Sequence, residues 1–388
     1  MRALLEESFK AAVAAADPLK ILGAHLPRPP KGRTFVAAAG KAAASMALAV
    51  EQSWPAKLDG IAVTRYQHGL PTDYIKVVEA GHPVPDQAGE AAAREILRSV
   101  AELGPDDLLL ALLSGGGSSL LSLPAPGVSM EQLKSLTGRL LKSGADIQEI
   151  NTVRKHLSAI AGGRLAAASR APVVALIISD VTGDEPTHIA SGPCTPDPTT
   201  IADAKAVLAK YRLEFDGPFS ESPKSVEATN TVIATAYRSL EAAAEVFRRQ
   251  GIRPVILGDT ITGEAREVGR EMAGLARRTA GPAALISGGE CTVTIKGEGG
   301  RGGRCSEFLL SLGVEAPHLW AIAADTDGID GSEDNAGAIW SPALEKRPGG
   351  RAALDRHDSY GFFEAAGTLV ITGPTRTNVN DYRAILVP

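Results

Sequence analysis

The chain has 388 residues, 44% hydrophobic, 22% charged and only 4% aromatic, with a formal charge of −5. This length exceeds the ~100–200 residues usual for one domain, so two α/β domains with Ala-, Leu-, Val- and Ile-rich cores are expected; a small stapled or disordered chain is excluded. No Lys/Arg cluster is interleaved with aromatics, which removes a nucleic-acid footprint. Cys194, Cys291 and Cys305 lack zinc or disulfide spacing, and Glu6, Glu7 and Lys10 stand where a secretory leader needs an apolar run. Nothing approaches the ~20 apolar residues of a membrane span, so a reducing, cytoplasmic setting is expected.

Apolar runs of strand length are predicted at residues 34–39, 108–113, 173–178, 255–257, 283–286 and 319–324, with another at 384–387. Residues 41–52, 87–103, 129–142 and 232–250 have helical spacing, the rhythm of a parallel sheet covered on both faces. Turn-rich stretches at 192–199 and 216–223 interrupt it and predict a domain boundary between about 217 and 228.

Ligands of open α/β sheets bind beyond the carboxyl ends of strands, so the residues after each run carry the functional reading. The first run ends at Gly40-Lys41-Ala42, a cation at a helix start where unpaired N–H groups already favour anions. Phe35 stands where a Walker A loop needs glycine. The second ends at Ser114-Gly115-Gly116-Gly117-Ser118-Ser119, whose glycines let the backbone approach a phosphate closely. Leu120 occupies the second glycine of a nucleophile elbow, which disfavours Ser118 as an acyl-transfer nucleophile.

Asn151, Arg154, Lys155 and His156 lead into Gly162-Gly163-Arg164, equally an anion-binding segment or a solvated helix face. The third run ends near Asp180, Gly183, Asp184 and Glu185, followed by His188 and Ser191. The two aspartates can share a hard cation, or divide into metal ligand and proton acceptor, or simply cap a loop.

In the second half, Ile286 runs into Ser287-Gly288-Gly289-Glu290, a turn like the first in design. A strand expected over 293–296 enters a glycine loop carrying Arg301 and Arg304; Gly297, Gly299 and Gly302 match a dinucleotide fingerprint but lack its βαβ context. An arginine fork suits phosphate oxygens. The run 319–324 delivers Asp325-Thr326-Asp327-Gly328; Ile329 excludes an EF-hand, and a Mg²⁺ or polyol-hydroxyl site fits better. After 368–371 the segment from Thr372 to Asp381 reads as a turn-rich loop.

Two glycine cradles, a helix-start lysine, a loop arginine and strand-end carboxylates are the parts phosphoryl transfer requires, in a kinase without a P-loop. In this order, Gly40-Lys-Ala42, Leu113-Ser-Gly-Gly-Gly-Ser-Ser119, Asn151-Thr-Val-Arg-Lys-His156, Ile178-Ser-Asp-Val-Thr-Gly-Asp184, Ser191-Gly-Pro193, Ser287-Gly-Gly-Glu290, Gly302-Gly-Arg304, Asp325-Thr-Asp-Gly328 and Thr377-Asn-Val-Asn-Asp381 resemble the class II glycerate 2-kinases, the MOFRL family, over nearly the whole chain.

The resemblance implies an α/β fold: a Rossmann-like parallel-sheet N-terminal domain, residues 1–225, and a smaller MOFRL-type α/β C-terminal domain, residues 226–388, with the active site in the cleft between them and the last strand able to return to the first domain. It implies ATP-dependent phosphorylation of D-glycerate to 2-phosphoglycerate, with Lys41 and Arg304 as the principal catalytic cations; the strand-end carboxylates add Mg²⁺ and, as catalytic residues, Asp180 and Asp184, either of which can accept the hydroxyl proton. Ser114, Gly115, Gly116, Gly117, Ser118, Ser119, Asn230, Gly288, Gly289 and Glu290 are assigned to the nucleotide. Lys41, Arg154, His156, Ser191, Asp325 and Asp327 are assigned to the substrate, and Asp180, Asp184 and Asp327 to the metal. D-glycerate is the expected partner, without nucleic acid or membrane, and a homodimer is an open expectation.

The chain departs from the family pattern in two places. Cys305-Ser306 replaces Asn-Gln, and Arg376 replaces a glycine between two threonines. The rival readings are an NAD(P)H-dependent hydroxypyruvate reductase and a non-catalytic sugar-acid binding protein.

Overall fold

A computed structural model describes residues 1–181, 183–295 and 299–388. The chain divides into two compact units, residues 18–233 and a second built from residues 1–17 and 234–388.

The first unit carries six strands: β1 (Thr34–Ala39), β2 (Leu58–Arg65), β3 (Ile75–Ala80), β4 (Leu108–Leu113), β5 (Val173–Ile178) and β6 (Thr229–Ala234), in the order β3-β2-β1-β4-β5-β6. Strands β1 to β5 pair in parallel. Every residue of β1 and β4 is buried, which explains their unbroken apolar sequences. Their register sets Thr34 against Leu108 and Ala39 against Leu113, so the two strands end level and release their turns side by side. The helix Gln87–Ala101 covers one face; Asp86 caps it by accepting from the Gly89 N–H at 3.0 Å, and Ala92, Ala93, Ile96 and Val100 join the strands in one core.

The second unit carries β7 (Arg253–Gly258), β8 (Gly263–Glu264), β9 (Ala283–Ser287), β10 (Cys291–Thr292), β11 (Trp320–Asp325), β12 (Gly337–Trp340), β13 (Leu369–Val370) and β14 (Asp381–Val387). Strands β8 and β10 form a separate parallel pair. The others make one mixed sheet, β13-β12-β11-β14-β9-β7, in which β7 and β9 are parallel and the remaining neighbours antiparallel.

The division differs from the expected one at 225/226. The helix Arg2–Ala14 belongs with the second unit because Leu5, Phe9 and Ala12 form one apolar stripe that packs against Leu240, Ala243, Phe247 and Tyr382. The Tyr382 hydroxyl donates to Ser8 Oγ at 2.8 Å. The last strand stays in the second sheet, between β11 and β9, and does not return to the first unit. Residues 232–234, expected in a helix, complete β6; Thr235 then caps the helix Ala236–Arg249. Strand β10 stops at Thr292, short of the strand expected over 293–296, and Lys296 and Gly297 lie outside the described residues. Among the described residues no helix is long and apolar enough to cross a membrane.

Candidate active site

In the first unit three hydrogen bonds sew the turns after β1 and β4 together, and a fourth ties the first of them to β2. Lys41 N–H donates to Gly115 O at 2.8 Å, Ala42 N–H to Ser114 Oγ at 3.1 Å, Ser114 N–H to Ala39 O at 3.0 Å, and Gly40 N–H to Val63 O of β2 at 3.1 Å. Gly40 has φ +129°, and a Cβ there would collide with Ser114. Gly116 starts the single helical turn Gly117–Leu120 at φ +79°. A Cβ on Gly116 would lie 2.9 Å from His82 Nε2 and 3.4 Å from Lys41 Cγ. Lys41, the triple-glycine turn and His82 therefore share one face of the strand ends. Reasoning from sequence missed His82, which comes just after β3.

The cradle is braced from behind by the helix Ile147–Lys155, which begins with a reciprocal cap between Asp146 and Glu149. Its Arg154 donates to the Ser118 carbonyl, and burial lowers the guanidinium pKa to about 10, leaving it charged at neutral pH. Ser118 Oγ lies 2.8 Å from Ser191 Oγ, which donates to Asn151 Oδ1 at 3.0 Å. Ala190 and Ser191 hold φ +51° and +59°, left-handed values that cost non-glycine residues energy and mark this turn as over-determined by its surroundings. Buried Lys155 ties the same region down through Thr187 Oγ1 at 2.7 Å and Asp197 Oδ1 at 3.4 Å; burial lowers its pKa against the pull of Asp197.

His156 corrects an expectation. Its ring is wholly buried, with Nδ1 2.8 Å from Thr152 O and Nε2 3.3 Å from Glu221 Oε1, so it closes the end of its own helix and is not presented to a substrate. Asn230, expected at the nucleotide, donates its amide to Cys194 O at 3.0 Å. Asp180 and Asp184 come after β5 in this unit, Asp184 at φ +55°.

In the second unit Arg304 opens the helix Arg304–Glu315 and is gripped by three carboxylates. Nε donates to Asp381 Oδ1 at 2.8 Å, Nη2 to Asp325 Oδ2 at 2.8 Å, and Nη1 to Glu290 Oε1. Burial pulls its pKa down, but Asp381, Asp325 and Glu290 outweigh this and hold it well above the usual arginine value. Buried Asp330 accepts from the Cys305 and Ser306 N–H groups at 2.9 and 2.8 Å and so caps this helix. Burial raises its carboxyl to about 6. Gly289 has φ +98° and lies against the Ile261 backbone, which leaves no room for a side chain in the Ser287–Glu290 turn. Asp327 Oδ1 accepts from Ile329 N–H at 2.9 Å, and Asp325 Oδ1 from Asp327 N–H at 3.0 Å.

The unusual Cys305 and Ser306 are both fully buried: the thiol lies in the core, its pKa pushed far up by burial, and Ser306 Oγ lies 2.8 Å from Ser359 Oγ. Arg376 sits at φ +59°, in the region glycine prefers. Arg376→Gly is expected to stabilise the fold by about 1 kcal/mol, read as a rise in Tm of a few degrees. An unchanged or lower Tm would show that the arginine side chain offsets its backbone cost.

A model of a domain of unknown function (DUF4147) matches residues 4–233, and a model of the MOFRL family matches residues 283–381. An Agrobacterium vitis protein provisionally named hydroxypyruvate reductase is 50% identical over 413 residues, covering 100% of this chain and 94% of its own. The glycerate 2-kinase of Pyrococcus horikoshii is 42% identical over 380 residues, covering 90% and 86%. The crystal structure of glycerate kinase from Thermotoga maritima superposes with a TM-score of 0.89 at 38% identity, covering 100% of this chain and 99% of that one. These define a two-unit α/β class of small-molecule kinases. The chain belongs to the MOFRL-containing glycerate 2-kinase family.

Proposed function

We infer that the chain transfers the terminal phosphoryl group of ATP to the 2-hydroxyl of D-glycerate, giving 2-phosphoglycerate and ADP. The observation that carries this reading is the joined turn of β1 and β4, where a lysine and three consecutive glycines form one surface at the carboxyl ends of adjacent parallel strands. Such a surface suits phosphate oxygens because its glycines let them come close to the backbone and a lysine lies beside the turn. The kinase names of the relatives agree with it.

In this mechanism the 2-hydroxyl oxygen attacks the γ-phosphorus, the bond to the bridging β–γ oxygen breaks, and the hydroxyl proton passes to Asp180 or Asp184. Lys41 and Arg304 are the cations assigned to neutralise charge on the transferring group. Arg154 and Ser191 hold the Ser118 end of the cradle, so their effect on the bound substrate passes through that turn. The glycine turns at 115–117 and 288–289 take the nucleotide phosphates.

Asp180, Asp184 and Asp327 are hard oxygen donors of the kind Mg²⁺ takes. Among the described residues no three acidic, His or Cys side chains form a metal-binding group. Mg²⁺ bound beside ATP takes most of its ligands from phosphates and water, so one or two carboxylates are enough to hold it. When bound, the ion supplies charge neutralisation to the phosphates. Buried free cysteines at 194, 291 and 305 agree with a cytoplasmic setting.

Incubating the protein with D-glycerate and MgATP should give the ³¹P signal of 2-phosphoglycerate, while hydroxypyruvate with NADH should leave the nicotinamide absorbance unchanged. Lys41→Met should lower kcat by about 10²-fold or more. Oxidation of NADH with ATP left intact would replace this reading with the reductase.

A further inference from the structure

The Thr377–Asp381 motif contributes no group to the mechanism above, yet it ties the loops of the second unit together. Thr377 Oγ1 donates to Ala16 O at 2.7 Å. Thr326 Oγ1 donates to Asn380 O at 2.6 Å and accepts from Val379 N–H at 2.9 Å, which fixes the end of β11 next to Asp325. Asp381 N–H donates to Gly289 O at 3.2 Å. The Asp381 carboxylate has no solvent exposure and is shared between two guanidiniums, taking Arg304 Nε at 2.8 Å on Oδ1 and Arg383 Nη2 at 2.7 Å on Oδ2.

Arg383 is itself 1% exposed. Its Nη1 donates to Gly288 O at 3.0 Å, its Nη2 lies 3.2 Å from Cys291 Sγ, and its guanidinium stacks 5.0 Å from the centre of the Phe308 ring. Asp381 and Arg383 are two residues apart on β14, so they face the same side of the sheet. Their ion pair thus holds both carbonyls of the glycine turn and one edge of Arg304. With Nε on Asp381 and Nη2 on Asp325, the remaining Nη1 edge is turned toward the half-exposed Glu290. A buried ionic group adds little stability over an apolar one of the same size, so its use here is to define geometry.

We propose that Asp381, backed by Arg383, is a positioning residue that orients the Arg304 guanidinium and the Ser287–Glu290 turn for phosphoryl transfer. The proposal rests on Arg304 acting in that step. Asp381→Asn keeps the shape and removes the charge; Arg383→Gln is the second variant in case the first folds poorly. Both should lower kcat by about 10²-fold, the loss typical of a displaced catalytic group, with KM for D-glycerate within about twofold. Amide exchange at residues 288–291 should quicken in both, and that readout needs no activity.

Folded variants that keep wild-type kcat and wild-type exchange at this turn would overturn the proposal, as would a lower Tm with kcat unchanged. If the wild-type protein makes no 2-phosphoglycerate, the functional reading fails on its own, and exchange at 288–291 still decides whether Asp381 sets the turn.

Discussion

Arg304→Lys is expected to lower kcat by about 10³-fold while Tm changes by only a few degrees. Lysine keeps the charge but has one nitrogen where arginine has three, and the three carboxylates around Arg304 each use a different one. A point charge can satisfy the sum of these acids without holding the planar fork that phosphate oxygens require. Arg304→Ala should in addition destabilise the second unit by about 3 kcal/mol, because buried Asp325 and Asp381 lose a counter-ion while the exposed Glu290 loses little. Steady-state kinetics and thermal melts of the two variants separate these effects. Full activity in Arg304→Lys would remove the arginine from the transfer step.

Gly40→Ala is expected to destabilise the first unit by about 3 kcal/mol and to reduce turnover by about 10²-fold. The new methyl meets the side chain and backbone of Ser114, and φ +129° is closed to L-residues, so either the Lys41 turn or the triple-glycine turn has to move. Gly144→Ala is the control: φ there is +80°, but nothing lies within 4 Å of the added carbon, and only a backbone cost of about 1 kcal/mol is expected. Urea unfolding of both variants compares a collision plus strain with strain alone. Equal losses would mean that the two turns are not mutually dependent.

Much of the first unit was legible because β1, β4 and β5 lie at the centre of a covered sheet, where burial on both faces leaves a continuous apolar sequence. β3 was not, since Lys76 is exposed and Val77 to Glu79 are only partly covered, a pattern that no run of apolar residues announces. That loss carried through to the site. The turns beyond the recognisable strands contain Lys41 and the three glycines, but His82 lies beyond a strand that had gone unrecognised.

The basic segment at 151–156 shows a different limit. Spacing places Arg154 and His156 close together, but only packing decides that Arg154 braces the cradle while His156 turns into the helix end. Asp381 and Arg383 did leave a trace in the sequence: an acid and a base two apart at the start of an apolar strand. Opposite charges sharing one face of such a strand are explained most simply as a buried pair.

The position of β14 bears on how the molecule is made. It is the last strand in chain order, yet it fills the gap between β11 and β9, so during translation that gap stays open until every other strand of the sheet has been synthesised. The first unit, continuous from 18 to 233, is under no such delay and can fold while its neighbour is still being made. Until β14 arrives, the unfilled edges of β9 and β11 are exposed to chaperones, to proteases and to other nascent chains.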